Sequence, residues 1–255
     1  MNAHQTPLEN GRVIFGAPKR RRGVEYLDHP DVAHDVRERA QRDVVRSNTL
    51  FGGRRAALLA LAPWLSKAES RSERVAMATM IDVGTGLADL PQHMSAQAGR
   101  HGVAMHTIGV DGACTLLATA RRAGRIADAV CGDALALPFA DRSVDVVFCS
   151  QLLHHFEHDN AVRLLRELHR VARRCVIVSD LRRSWIAVAG YWLSSFVLRF
   201  HPVTRHDGVV SILRGFTEPE LRGMVLSATG GSARPAIRRR LGFRVTASWA
   251  PLPRS

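Results

Sequence analysis

The sequence has 255 residues, of which 46% are hydrophobic and 23% charged, and its formal net charge is +13. This composition excludes a disordered chain and fits one globular domain of ordinary size. Arginine supplies nearly all of the positive charge, since Lys19 and Lys67 are the only lysines, and the arginines are scattered along the chain. This charge is compatible with nucleic acid as an alternative partner, but it does not indicate one.

The four cysteines predict neither a metal centre nor a disulfide framework, because they lie far apart and form no CxxC pair. They are Cys114, Cys131, Cys149 and Cys175. The first ten residues lack the apolar core of a secretory signal. We therefore expect a cytoplasmic protein that holds no metal.

The first 70 residues divide into a tail and a helical region. Residues 1–22 are irregular and end in four basic residues, so we expect a mobile tail there. Between residues 23 and 70, apolar residues recur every three or four positions with charges between them, which predicts helices. Gly52 and Gly53 interrupt this pattern. We expect a single domain over residues 23–255.

Between residues 75 and 181, short β-branched or apolar runs alternate with helical stretches. Strands are predicted at 79–83, 106–110, 127–131, 144–149 and 175–179. Helices are predicted near 89–99, 113–123 and 160–171. This alternation indicates a parallel sheet that helices cover on both faces.

A long insertion, residues 182–215, interrupts the alternation and is the most aromatic part of the chain. Its apolar stretch is shorter than the about 20 residues of a membrane span, so we expect a lid helix and leave contact with a membrane surface open. Aromatic walls suit an apolar or planar ligand, and we predict that Tyr191, Trp192 and Phe196 line an acceptor pocket. Anchoring of the lid to the core is the alternative. Residues 216–255 are predicted to form a helix and a two-stranded hairpin.

Three turns in the central region point to a nucleotide-like ligand at the carboxyl ends of the strands. The first strand ends in Asp82-Val83-Gly84-Thr85-Gly86, where a ligand can approach the backbone closely. Asp89 takes the place of the third glycine of GxGxxG, which disfavours a nicotinamide dinucleotide. Asp111 follows the second strand, where an acid can bind ribose hydroxyls or cap the next helix. Gly132-Asp133-Ala134 follows the third strand.

The order of the motifs DVGTG, GVD, GDALALPF and SVDVVFCSQLLHHF resembles the class I S-adenosylmethionine-dependent methyltransferases. The nearest group is the small-molecule one that includes the ubiquinone and menaquinone C-methyltransferases. The resemblance covers residues 79–180. It implies a Rossmann-like, doubly wound α/β sheet of seven strands in the order 3-2-1-4-5-7-6, with strand 7 antiparallel. N-terminal helices and a helical lid after strand 5 complete the expected fold.

The resemblance also implies a binding role for each motif, with S-adenosylmethionine as the cofactor. The methionine part would lie on the first turn, the ribose and adenine on the second and third, and the transferred methyl group beside the end of the fourth strand. The first turn would contribute Asp82, Gly84, Thr85 and Gly86, and the second turn Asp111 and Gly112. The third turn would contribute Asp133 and Ala134, and the end of the fourth strand Ser150 and Gln151. Asp145 would be structural.

Methyl transfer to a phenol or an activated ring carbon needs a base, and histidine is a common one. Candidates are His154 and His155, just after the fourth strand, and His206, which Asp207 would orient if the insertion covers the pocket. We expect O- or C-methyl transfer to a small apolar metabolite, aromatic or of polyketide or quinone type. The alternatives are an RNA methyltransferase that uses the basic surface and a protein that binds the cofactor without catalysis.

Overall fold

A seven-stranded sheet organises the computed structural model, which describes residues 17–21, 23–29, 31–70 and 77–251. The strands are β1 (Met77–Val83), β2 (Ala104–Asp111), β3 (Asp128–Cys131), β4 (Val144–Ser150), β5 (Ala172–Leu181), β6 (Ala236–Arg240) and β7 (Arg244–Trp249). Their order is β3-β2-β1-β4-β5-β7-β6. The first five strands are parallel, and β7 is antiparallel to both of its neighbours. The predicted strand order and the antiparallel seventh strand are confirmed.

The helices of the described residues lie on both faces of this sheet and over its carboxyl edge. They are α1 (His34–Leu50), α2 (Gly53–Ser70), α3 (Asp89–Arg100), α4 (Cys114–Arg122), α5 (His158–Val171), α6 (Trp185–Val197), α7 (Pro202–Arg214) and α8 (Glu218–Ala228). Short 3-10 helices form at Tyr26–Asp28 and Leu153–His155. No described helix has both the length and the hydropathy that crossing a membrane requires.

Strand β4 shows why the sheet is apolar on both faces. All of its residues are buried, and successive side chains point to opposite faces. Val146 and Phe148 pack with α2 and α3, whereas Val147 and Cys149 pack with α5 and α8. The central strand is thereby fixed between two helical layers, and its carboxyl end projects toward the lid formed by α6 and α7.

A buried carboxylate, Asp145, fixes the amino ends of the central strands. It accepts hydrogen bonds from the backbone N–H and the hydroxyl of Thr79, at 3.0 and 3.2 Å. Arg173 and Arg174 form ion pairs with it, at 2.7 and 2.9 Å. These contacts explain why β5 begins at Ala172, three residues before its predicted start: the two arginines belong to the strand, although their charge hides it in the sequence.

The prediction that no disulfide forms is wrong. Cys114, at the start of α4, and Cys131, at the end of β3, are bonded, with their Cα atoms 5.3 Å apart. Asp111 pairs with Cys131 across the sheet, so the chain leaving β2 necessarily passes close to the end of β3. The parallel pairing of two strands creates this proximity, and a separation of 17 residues in sequence does not reveal it.

Part of the segment predicted as a tail packs on the domain. Arg20 donates hydrogen bonds to the backbone carbonyls of Arg214, His154 and Phe156, at 2.7, 3.0 and 2.8 Å. Its guanidinium also lies 4.2 Å from the ring centre of Phe216. Residues 1–16 of the predicted tail lie outside the described residues.

Candidate active site

The carboxyl ends of β1, β2 and β4 surround a polar cleft of about 260 Å³. Parallel strands bring these ends to one edge of the sheet, where ligands bind in open α/β folds. Nine of the ten predicted cofactor residues line it: Asp82, Gly84, Thr85, Gly86, Asp111, Gly112, Ala134, Ser150 and Gln151. The tenth, Asp133, is exposed beside the cleft, and its carboxylate accepts a hydrogen bond from the backbone N–H of Leu135 at 2.8 Å.

The turn after β1 has a shape that favours glycine. Gly84 and Gly86 have φ angles of +75° and +51°. A Cβ atom on Gly84 would lie 2.9 Å from the side chain of Leu152. The carboxylate of Asp111 holds the turn open from the neighbouring strand, because it accepts from the backbone N–H groups of Gly86 and Ala113, both at 2.8 Å. These contacts leave each carboxylate oxygen with a further lone pair, and Asp111 lines the cleft.

Asp82 is a buried carboxylate with too few partners. One oxygen accepts from the hydroxyl of Thr85 at 2.7 Å, and the other finds no donor among the described residues. Burial raises the pKa of Asp82 to about 7, and the nearby carboxylates of Asp89 and Asp111 act in the same direction. An unpaired oxygen in this position fits a ligand that carries a cationic amino group.

Two histidines occupy the same cleft and have the same kind of partner. Nδ1 of His154 lies 2.7 Å from a carboxylate oxygen of Asp180, and Nδ1 of His155 lies 3.0 Å from Asp28. His154 is 2% exposed, and its Nε2 has no hydrogen-bond partner in the part of the chain that the structure describes. A carboxylate on Nδ1 fixes the ring orientation and favours the tautomer with a lone pair on Nε2.

Glu25 faces both histidines and links them to the lid. Its two oxygens lie 3.7 Å from Nε2 of His154 and 3.9 Å from Nε2 of His155. The ligand atoms of these three residues lie within 4.8 Å of one another, a spacing that a metal ion accepts. However, Arg214 already supplies positive charge there, since its guanidinium donates to Glu25 at 3.1 Å and to Asp28 at 3.0 Å. We assign no metal to this group.

An apolar cavity of about 310 Å³ adjoins the polar cleft beneath α6 and α7. The two spaces share five wall residues: Glu25, Leu27, Val44, Gln151 and Ser211. Tyr191 lines the cavity, and its hydroxyl donates to the backbone carbonyl of Thr204 at 3.0 Å. Trp192 and Phe196 were predicted beside it but lie on the outer side of α6, where they are 52% and 44% exposed. They line a separate apolar hollow on the surface.

His206 pairs with Asp207 as the sequence suggests, at 2.9 Å, but the pair does not present the histidine to the cavity. The side chain of His206 is 51% exposed and lines the outer hollow. Asp207 is buried and does line the cavity. Its carboxylate accepts the backbone N–H groups of Tyr26 and Leu27, at 2.8 and 3.0 Å, so it fixes the N-terminal segment to the lid.

Sequence analysis missed a polar network that separates the cleft from the cavity. The side-chain oxygen of Asn48 accepts from Gln151 at 2.6 Å and from Arg244 at 3.2 Å. Arg244 is 2% exposed, and two of its guanidinium nitrogens have no acceptor within the described ranges. Burial lowers the pKa of Arg244 to about 10. The one sequence signal was an arginine at the start of an otherwise apolar strand, since the partners come from distant parts of the chain.

Comparisons with known proteins agree with this geometry. Residues 81–177 match the family model described as a methyltransferase domain. This match identifies a methyltransferase domain within the chain, and the seven-stranded fold is the one found in solved S-adenosylmethionine-dependent methyltransferases. No curated protein matches the chain in sequence.

Two solved structures illustrate the shared fold. Magnesium protoporphyrin IX methyltransferase from Synechocystis, crystallised with bound S-adenosylmethionine, is 13% identical, with a TM-score of 0.50 over 89% of this chain and 88% of that one. A methyltransferase of the same cofactor class from Thermotoga maritima is 14% identical, with a TM-score of 0.54 over 86% of this chain and 99% of that one.

The raised pKa of Asp82 predicts that neutralising this residue stabilises the cofactor-free protein. Below about pH 4 both the folded and the unfolded chain carry the proton. As the pH rises toward 7, the unfolded chain loses it first, so Asp82 progressively lowers the stability of the fold. The free energy of unfolding of Asp82→Asn should therefore equal that of the wild type near pH 4. At pH 7.5 it should be higher by on the order of 2–4 kcal/mol.

Urea unfolding across this pH range measures the effect, with exposed Asp133→Asn as the control that should leave the pH dependence unchanged. An Asp82→Asn variant that is less stable than the wild type at pH 7.5 would contradict the assignment.

Proposed function

We propose that the protein transfers a methyl group to an oxygen or carbon atom of a small apolar metabolite, aromatic or of polyketide or quinone type. The observation that supports this acceptor class is the apolar cavity, which shares a wall with the polar cleft beneath the lid. Bound S-adenosylmethionine supplies a sulfonium methyl group that is already electrophilic. The protein's task is then to hold cofactor and acceptor in line and to exclude water from them.

In this proposal the strand-end turns bind the cofactor by charge and by shape. The unpaired oxygen of Asp82 accepts the ammonium of the methionine part, which removes the cost of that buried carboxylate. Gly84 and Gly86 leave room for the methionine chain. The free lone pairs of Asp111 accept the ribose hydroxyls. Gly112, Asp133 and Ala134 contact the adenine.

The wall between the two spaces orients the acceptor. Ser150 and Gln151 end β4, and Gln151 lines both the cleft and the cavity. Gln151 is itself fixed by its hydrogen bond to Asn48, so its position does not depend on the acceptor. Tyr191 and Phe51 lie in edge contact with ring centres 5.8 Å apart and give the cavity rigid aromatic walls. These walls favour a planar acceptor and keep water out.

His154 is the base in this proposal. Burial raises the pKa of its partner Asp180, but the interaction with His154 and two backbone N–H groups lower it by more. The ionised carboxylate holds the proton on Nδ1, and the lone pair of Nε2 takes the proton that the acceptor loses. Asp180 then stabilises the resulting imidazolium. His155, which Asp28 holds beside it, positions the acceptor or Glu25.

Replacing Asp111 by alanine should weaken binding of S-adenosylmethionine at least tenfold, because a charge-assisted hydrogen bond contributes about 1.5–3 kcal/mol. Isothermal titration calorimetry measures this affinity. Asp111→Asn, which keeps an acceptor oxygen but no charge, should fall between the wild type and the alanine variant. Asp128→Ala, at the amino end of β3 in an exposed pair with His106, is the control. Unchanged affinity in Asp111→Ala would remove this residue from the cofactor site.

Replacing His154 by alanine should lower kcat by roughly 10²–10⁴-fold while cofactor affinity stays the same, since the residue acts on the proton of the acceptor. His206→Ala should retain wild-type turnover, because its ring faces outward. A large loss in His206→Ala with normal turnover in His154→Ala would assign the base to His206 instead.

The acceptor class is tested by incubating the protein with methyl-labelled cofactor, a cell extract from the source organism and, separately, total RNA. The proposal expects label in a small molecule that partitions into organic solvent. Label in RNA would replace it with the basic-surface alternative. Saturable cofactor binding without label transfer to either preparation would indicate a protein that binds the cofactor without catalysis.

A further inference from the structure

The outer face of α6 is apolar and exposed along its whole length. Six large side chains recur at helical spacing on this face: Trp185, Ile186, Trp192, Leu193, Phe196 and Val197, which are 53, 72, 52, 64, 44 and 78% exposed. The opposite side of the helix is buried through Ala187 and Ser195. Single exposed apolar residues are common on protein surfaces, but a continuous row of this kind marks a surface that contacts an apolar partner.

The apolar surface continues beyond the helix. Trp192 and Phe196 form one wall of a surface hollow whose other side is Val209, Val210 and Leu213 of α7. We call the outer face of α6 and this hollow the α6 surface. Its two tryptophans, Trp185 and Trp192, lie about two helical turns apart on α6.

Three arginines lie at the edge of the α6 surface. Arg21 lies over the ring of Trp185 at 5.7 Å, and Arg205 lies over Phe196 at 3.7 Å. Arg199 is exposed just beyond the end of α6. Arg183 and Arg214 of the same segment add no free charge, because they pair with Glu220 and with Glu25 and Asp28. The positive charge of the rim comes from Arg21, Arg199 and Arg205. The surface therefore combines an apolar centre with a positively charged rim.

We propose that the α6 surface docks on an anionic lipid bilayer, with α6 lying in the plane of the headgroups. Tryptophan prefers that region, and arginine stems can lie along apolar surface while their charged ends reach lipid phosphates. A second copy of the chain suits the surface less well, since two positively charged rims would face each other. The 13 residues of α6 fit a helix that rests on the bilayer, not one that crosses it.

If the proposed function is correct, docking would place the apolar cavity beside the bilayer. Ile186 and Gly190 line the apolar cavity and are also exposed on α6. The cavity wall thus reaches the docking face. An apolar acceptor dissolved in the bilayer would enter beside α6 without crossing water.

Sedimentation with vesicles tests the docking directly. The probes are vesicles of phosphatidylglycerol and phosphatidylcholine in a molar ratio of three to seven, and vesicles of phosphatidylcholine alone. The wild type should bind the anionic vesicles at least about tenfold more tightly, because each basic residue near a charged surface adds affinity. The fluorescence of Trp185 and Trp192 should shift to shorter wavelength on binding.

Two matched variants locate the surface. Leu193→Asp places a charge at the centre of the α6 surface and should reduce vesicle binding at least about tenfold. Met77→Asp makes the same change at a residue that is 68% exposed at the amino end of β1, far from the lid, and should bind as the wild type does. Both positions are exposed, and circular dichroism verifies that both variants fold.

Equal binding by the two variants, or no binding of the wild type to anionic vesicles, would overturn the proposal. So would a dimer in light scattering that Leu193→Asp dissociates while vesicle binding is absent. Vesicle binding needs neither cofactor nor acceptor, so this result is independent of whether the proposed methyl transfer is correct.

Discussion

Burial of ionisable groups at the carboxyl edge of the sheet is the constraint on which the site depends. Water cannot stabilise charge there, so each group relies on a few fixed partners. Asp180 receives hydrogen bonds from His154 and the backbone, and its pKa stays below its ordinary value. Asp82 receives one from Thr85, and its pKa rises to about 7. The two carboxylates, on the strands that flank β4, thereby differ: one suits a cationic ligand and the other holds a fixed negative charge.

The N-terminal segment completes this edge. Glu25 faces the two histidines, and the backbone after it is held by Asp207 of the lid. Arg20, in the same segment, donates a hydrogen bond to the backbone carbonyl of His154. A segment remote in sequence, the lid and the end of β4 therefore form one connected wall beside the apolar cavity.

Sequence analysis could predict the central strands, because their apolar runs are bounded by turn residues, and the strand order followed from the family resemblance. Nine of the ten residues predicted to bind the cofactor line the cleft, since each lies at the end of a strand or in the turn after it. It could not distinguish Tyr191 from Trp192 and Phe196, because α6 is apolar on both sides and its rotation is set by packing alone. The network of Asn48, Gln151 and Arg244 could not be predicted either, because Gln151 lies 103 residues and Arg244 196 residues after Asn48 in the sequence.

The cystine between Cys114 and Cys131 has a mechanical consequence for the rim of the sheet. Strand β3 is four residues long and pairs with β2 alone, so its ladder by itself would fray readily. The disulfide closes a loop of 17 residues. Because it restricts the unfolded chain, a loop of this length stabilises the folded state by about 3 kcal/mol. An outermost strand that would otherwise open and close is thus clamped to its neighbour.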